Sequence, residues 1–150
     1  MSEFLTKSRA RNIFYGGSIF FVLVFIALTI HSHYYVVNSS TAGMALSAEV
    51  RHGKHVWERN SCINCHTLHG EGAYFAPEVG NVMARWGVAD DPEGAYEVLA
   101  AWMQAQPSGV EGRRQMPFFD LSEEDLRGLA EFLRFANQTN TQGWPPNDAG

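Results

Sequence analysis

Cys62-Ile63-Asn64-Cys65-His66 is the stretch that decides how the rest of the chain is read. C-x-x-C-H is the attachment signature of a c-type haem. The two thiols add across the porphyrin vinyl groups as thioethers, and the adjacent imidazole becomes an axial iron ligand. The two-residue gap puts both sulfurs on one porphyrin edge with the histidine beneath its centre. Cys62 and Cys65 are the only 2 cysteines among 150 residues, whereas a four-ligand zinc site needs a second pair of Cys or His at ligand spacing. A redox-active C-x-x-C of thioredoxin type would follow a strand and open a helix. No βαβ pattern surrounds this one.

Upstream, Asn12 to Ala48 contains no Asp, Glu, Lys or Arg, and Ile13 to Ile30 is apolar apart from Gly16, Gly17, Ser18 and Thr29. About 20 such residues cross a bilayer core as a helix, so residues 13–37 are predicted to form a transmembrane anchor. Lys7, Arg9 and Arg11 precede it, and the positive-inside rule then puts residues 1–12 in the cytoplasm. Tyr15, Tyr34 and Tyr35 suit the two interfaces. The alternative is a cleaved signal peptide, helped by small residues Ser39, Ser40, Thr41, Ala42 and Gly43. Signal h-regions span about 7–15 residues, shorter than this run, so a retained anchor is favoured. Everything after it would lie outside the cytoplasmic membrane of a bacterium, where c-type haem is attached.

The chain after the anchor is short for a large apolar core, and a covalently held haem supplies a plate around which it can fold. Residues 38–47 read as a tether, residues 48–137 as a monohaem domain and residues 138–150 as an irregular tail. The net charge of −5 hides a basic start and an acidic remainder. This argues against nucleic acid and for a soluble partner with a basic face, drawn in by long-range steering; a merely soluble acidic surface is the plainer alternative.

The domain reads as all-α. A first helix from about Ser47 to Arg59 puts Val50, Gly53 and Trp57 on one face and leads into the haem motif. Gly70 to Gly80, GEGAYFAPEVG, is a loop. Asp91-Pro92 opens a helix to about Gln104 with an N-cap and Pro at the first position. Gln106 to Arg114 is a second loop. Ser122-x-x-Asp125 resembles a capping box and opens a last helix, with Leu126, Leu129, Ala130 and Leu133 on one face. No strand pattern competes.

The second axial position decides between electron transfer and ligand chemistry. Met44 lies in the tether, Met103 inside an amphipathic helix, and Met83 closely follows the haem loop. Met116 stands in Arg114-Gln115-Met116-Pro117-Phe118, on an interhelical segment able to fold over the far haem face, and is the preferred sulfur ligand. A thioether there raises the potential. His52, His55 or His69 would give bis-histidine ligation, but solvated surface positions are the preferred account of them. His31 and His33 fall at the outer membrane interface, where metal binding is a weak signal.

A helix bearing Gly and an aromatic, C-x-x-C-H, a later Met-Pro and a closing amphipathic helix together resemble a class I cytochrome c. The resemblance implies that the first and last helices cross closely, through Gly53, and that the Pro77 carbonyl orients the His66 imidazole. A narrower likeness lies in Cys62 to Glu78, CINCHTLHGEGAYFAPE, combined with the anchor. It resembles the small, cytochrome c component of cytochrome c-dependent nitric oxide reductases. That resemblance implies a heterodimer with a large multi-spanning catalytic subunit that holds haem b and non-haem iron and turns NO into N2O. It implies electrons from a soluble periplasmic cytochrome c or cupredoxin, a location in the inner membrane with the haem domain in the periplasm, and no substrate chemistry on this chain itself. It also implies an interface calcium ion, shared with the partner, to which this chain lends the Gly72 carbonyl and the Tyr74 hydroxyl. By themselves, Gly72 reads as a positive-φ turn residue and Tyr74 as half-buried packing, and one such loop makes no autonomous calcium site.

Other functions stay open at this level: the monohaem subunit of a cbb-class haem–copper oxidase, a free-standing tethered carrier, or a haem enzyme or sensor with an open iron site. Haem and metal content of the purified membrane complex separates them.

Overall fold

The computed structural model describes residues 5–41 and 43–146. Expectations resting on residues 1–4, on Ala42 and on residues 147–150 (the start of the cytoplasmic segment, one small residue after the apolar run, the end of the tail) lie outside the described residues. The chain divides into two units, Met1–Gly43 and Met44–Gly150.

In the first unit, Thr6 caps helix α1, Lys7–Tyr35, its hydroxyl accepting from the Arg9 N–H at 3.3 Å. The helix continues as a wider π turn over Val36–Ser40. The 34 residues from Lys7 to Ser40 would measure about 50 Å, against a hydrocarbon core of about 30 Å. None of its residues is buried within the chain, and Phe20, Phe21, Leu23, Phe25 and Ile30 all stand exposed. By length and composition this helix is able to cross a membrane. Two polar side chains along it bond back onto its carbonyls: the Thr29 hydroxyl donates to the Phe25 carbonyl at 2.8 Å, and the Asn38 amide to Tyr34 at 2.8 Å. Helix extends beyond the apolar run at both ends because Thr6 supplies a cap, nothing in Lys7 to Asn12 breaks it, and Asn38 and Thr41 bond back onto its carbonyls.

In the second unit, Ser47 caps α2, Ala48–Arg59, accepting from Val50 N–H at 3.1 Å. Asp91 caps α4, Pro92–Gln104, with Pro at its start, and Ser122 caps α5, Glu123–Gln138, accepting from Asp125 N–H at 3.1 Å. Glu123, Glu124 and Asp125 lie at the positive end of α5. These three helices begin where their capping residues predict. Two small elements carry no such signal. One helical turn, α3, forms at Val82–Arg85, and two-residue strands β1 (Thr67–Leu68) and β2 (Glu71–Gly72) pair antiparallel with Thr67 opposite Gly72. That ladder corrects the expectation of no strand. Two residues are too few to show period-2 alternation, and the turn is made by His69 and Gly70 at φ +53° and +83°. Residues 139–146 are irregular, as expected, yet they pack: Trp144 lies against Gly70 and reaches a buried carboxylate described below.

α2 and α5 meet backbone to backbone. A Cβ at Gly53 would fall on the Gly128 carbonyl, and one at Gly128 would stand 2.7 Å from the His52 ring. Around this crossing Val50, Val56, Trp57, Leu129, Phe132 and Leu133 are buried, with the Trp57 and Phe132 rings 6.2 Å apart. Asp125 on α5 takes His52 Nε2 at 2.9 Å and Arg59 at 2.5 Å. Burial opposes its charge, but Arg59, His52 and Ser122 outweigh that and hold its carboxyl below the usual range. Ala95, Leu99 and Met103 of α4 complete the core.

Gly53→Ala forces a side chain against a backbone that cannot rotate away, so it should cost about 1–3 kcal/mol, nearer the upper end. Denaturant unfolding followed by tryptophan fluorescence checks this. An unchanged midpoint would mean that the two helices do not touch there.

Candidate functional site

Ser61, at φ +55°, breaks α2 and starts a 3₁₀ turn over Cys62–Asn64. Backbone N–H groups of Cys65 and His66 donate to the Cys62 carbonyl at 3.1 and 2.9 Å, which curls the motif into one turn; Cys62 lines the cleft described below and Cys65 does not. Neither cysteine is disulfide-bonded. Burial pushes the Cys62 thiol up to about 11, so it is no thiolate nucleophile at neutral pH, unlike the attacking cysteine of a dithiol oxidoreductase.

His66 Nδ1 lies 2.9 Å from the Pro77 carbonyl oxygen. A carbonyl only accepts, so Nδ1 carries the proton and Nε2 keeps its lone pair for a metal. The bond implied by the class I cytochrome c resemblance is therefore present. Trp57 stands beside the imidazole, ring centres 6.4 Å apart.

Cys62, His66 and Pro77 open onto a cleft of about 250 Å³ that is continuous with solvent and walled by α2, α3, α4 and α5. Its lining is apolar except at Asn60, Cys62, His66 and Arg85. The donor set suits a haem: two thiols on one turn, one imidazole with a fixed tautomer, an apolar wall for the porphyrin, and a single cation, Arg85, able to face carboxylates. Met116 lines the same cleft from the irregular segment after α4, and Met103 reaches it from within α4. Met83 is fully buried and takes no part in the lining. The other histidines of the second unit have partners elsewhere: His52 with Asp125, His55 with Glu58 at 3.7 Å, and His69 Nε2 with the Ala136 carbonyl at 3.0 Å.

Gly72 has φ +121°, and a Cβ there would come within 2.9 Å of the Ile63 side chain, so close packing beneath the motif already explains the glycine. Tyr74 is 69 % exposed rather than half-buried, and its hydroxyl donates to the Gly70 carbonyl at 3.3 Å. Among the described residues no group of three or more His, Cys, Asp or Glu gathers as a metal site.

Two residues of the site carry no sequence signal. Arg114 lies over the Phe75 ring at 4.7 Å and donates to the Phe75 carbonyl, clipping the Met116 segment to the loop after the motif. Glu78, 4 % exposed, accepts from the N–H groups of His69, Gly70 and Gly80 and from Trp144 Nε1. Burial works against its charge, but these four donors together prevail and hold its carboxyl below the ordinary range. Only the three-dimensional loop reveals them, since the donors are backbone atoms and a distant indole.

A cytochrome c family model matches residues 50–136. Over 150 residues, all of both chains, the chain is 73% identical to the C subunit of nitric oxide reductase from Cereibacter sphaeroides. Over the same full lengths it is 61% identical to that of Paracoccus denitrificans and 55% identical to that of Halomonas halodenitrificans.

Since folding lowers the Glu78 pKa, its carboxylate stabilises the fold at neutral pH, and that contribution is lost as pH falls below about 4.5. Glu78→Gln should therefore be less stable than the wild type at pH 7, with the gap narrowing in acid. Urea unfolding at a series of pH values measures it. A gap that stays constant would mean that Glu78 is not ionised in the folded chain.

Proposed function

The chain belongs to the cytochrome c family and, along its whole length, to the family of nitric oxide reductase C subunits, and from that premise we propose that it is the electron-entry subunit of a membrane-bound nitric oxide reductase. The observation that carries the reading is the apolar cleft onto which Cys62, His66 and Met116 all open. In it Cys62 and Cys65 would hold one haem c through thioethers, and His66 and Met116 would be the axial ligands. Bound there, the haem supplies reversible one-electron transfer. The protein's part is to orient the imidazole through Pro77, to keep water from the porphyrin faces with Trp57, Leu99 and Leu129, and to offer Arg85 to the propionates.

The chain forms no substrate bond in this reading. Its partner would be a multi-spanning catalytic subunit with haem b and non-haem iron, where two NO, two electrons and two protons give N2O and water. α1 would anchor the complex in the inner membrane, with the basic start in the cytoplasm and the haem domain in the periplasm. The donor would be a soluble periplasmic cytochrome c or cupredoxin. Of the calcium expectation, what favours a shared site is that Gly72 and Tyr74 lie together on an exposed loop; their two oxygens would be completed by ligands of the partner, since alone they are too few for calcium.

Met116→Ala should keep its covalent haem but lose the weak far-red band of sulfur-to-ferric-iron charge transfer, and its potential should fall. Persistence of the band would transfer the role to Met103, the other methionine in the cleft. In the assembled complex, Met116→His should slow NO reduction driven by a reduced periplasmic cytochrome while sparing turnover from a small reductant acting on the large subunit. Donor-driven rates should also decline as salt rises. Donor-driven turnover unaffected by loss of haem c in an assembled complex would sink the proposal.

A further inference from the structure

Pro77, whose carbonyl holds His66, is followed by a buried anchor. The two Glu78 oxygens accept from His69 N–H at 2.9 Å, Gly70 N–H at 2.9 Å, Gly80 N–H at 2.7 Å and Trp144 Nε1 at 3.1 Å. Its main-chain carbonyl also accepts from Arg85 at 2.7 Å, and the Val79 N–H donates to Thr67, next to His66, at 3.0 Å. The backbone donors come from both ends of the loop that carries Pro77. The fourth donor comes from the C-terminal segment, which reaches back over Gly70, where a Cβ would stand 3.2 Å from the indole. Gly80 is likewise closed to a side chain by His69 and Glu78 itself, at 2.7 and 2.9 Å. A buried carboxylate meeting four N–H groups is a rigid node, and it sits one residue from the carbonyl that sets the histidine's tautomer.

We infer that Glu78 and Trp144 form a positioning pair for the axial histidine: the carboxylate fixes the Pro77 carbonyl on His66 Nδ1, and Trp144 fixes the carboxylate. The inference rests on the reading that His66 carries a haem iron. A firm Nδ1–H···O=C bond makes the imidazole a better electron donor and favours oxidised iron. Slackening it favours the reduced state. Removing the buried charge acts in the same direction, so Glu78→Gln by itself would not separate geometry from electrostatics. Trp144→Phe does, because it deletes one N–H donor and leaves the charge in place.

The test uses the full-length chain, purified in detergent with its haem. Midpoint potentials are read by spectroscopic titration, and exchange of the hyperfine-shifted His66 Nδ1 proton is read by NMR of the oxidised protein. Trp144→Phe should move the midpoint to a more positive value and speed that exchange, and Glu78→Gln should do both to a greater degree. A Trp144→Phe protein with wild-type midpoint and exchange would overturn the inference, and so would a shift to a more negative potential. Trp144→Phe decides the matter whether or not the Glu78 variant assembles. The pyridine haemochrome spectrum of the wild-type chain keeps the two levels apart. A normal haem c spectrum with unmoved potentials rejects the positioning pair alone, whereas no haem c at all rejects the reading beneath it.

Discussion

The contact between α2 and α5 at Gly53 and Gly128 is the constraint on which the rest of the domain depends. Two backbones in contact leave no freedom to slide, so the end of α2 arrives at a fixed place and the Cys62–His66 turn is delivered there. The same crossing sets Leu129 and Leu133 of α5 as one wall of the cleft and Val56 and Trp57 of α2 as another. Asp125 reinforces it from the rim through His52 and Arg59. These two ion pairs contribute less than their geometry suggests, because the Arg59 and His52 ends remain partly in solvent; the apolar surface buried beneath them is the larger contribution.

Around that frame the site is built by loops, and each loop is pinned rather than packed. Pro77 is held on His66 by the Glu78 node, while Arg114 ties the Met116 segment to Phe75. Such pinning suits electron transfer, where little rearrangement between oxidation states is an advantage. The exposed helix α1 has the opposite character, with an apolar run long enough to cross a membrane. The chain thus joins a candidate membrane-spanning helix to an acidic cytochrome c domain, which matches its membership of the nitric oxide reductase family of small subunits.

What could be read in the sequence was whatever is written in local chemistry. Ser47, Asp91 and Ser122 marked helix starts because a capping oxygen acts within three residues, and the periodic Leu126, Leu129, Ala130 and Leu133 named the buried face of α5. The C-x-x-C-H motif pointed to a haem, while the close approach at Gly53 came from the resemblance to class I cytochromes c and not from local chemistry. The β1–β2 ladder was invisible because two residues carry no period. Glu78 carried no signal within the glycine-rich loop, since its four partners are three backbone groups and an indole 66 positions away. Tyr74 was expected half-buried and proved exposed, because the packing beneath the motif is supplied by Gly72 and Ile63.

The central claim is that one haem is covalently fixed to Cys62 and Cys65 of a chain that keeps its anchor. Intact mass spectrometry of the denatured subunit, taken from membranes, tests it most directly. The account predicts the polypeptide beginning upstream of α1 plus a single haem, with the added mass localised by digestion to the peptide containing Cys62–His66. A denatured chain at the mass of the bare polypeptide would contradict it, as would one cleaved after Tyr35.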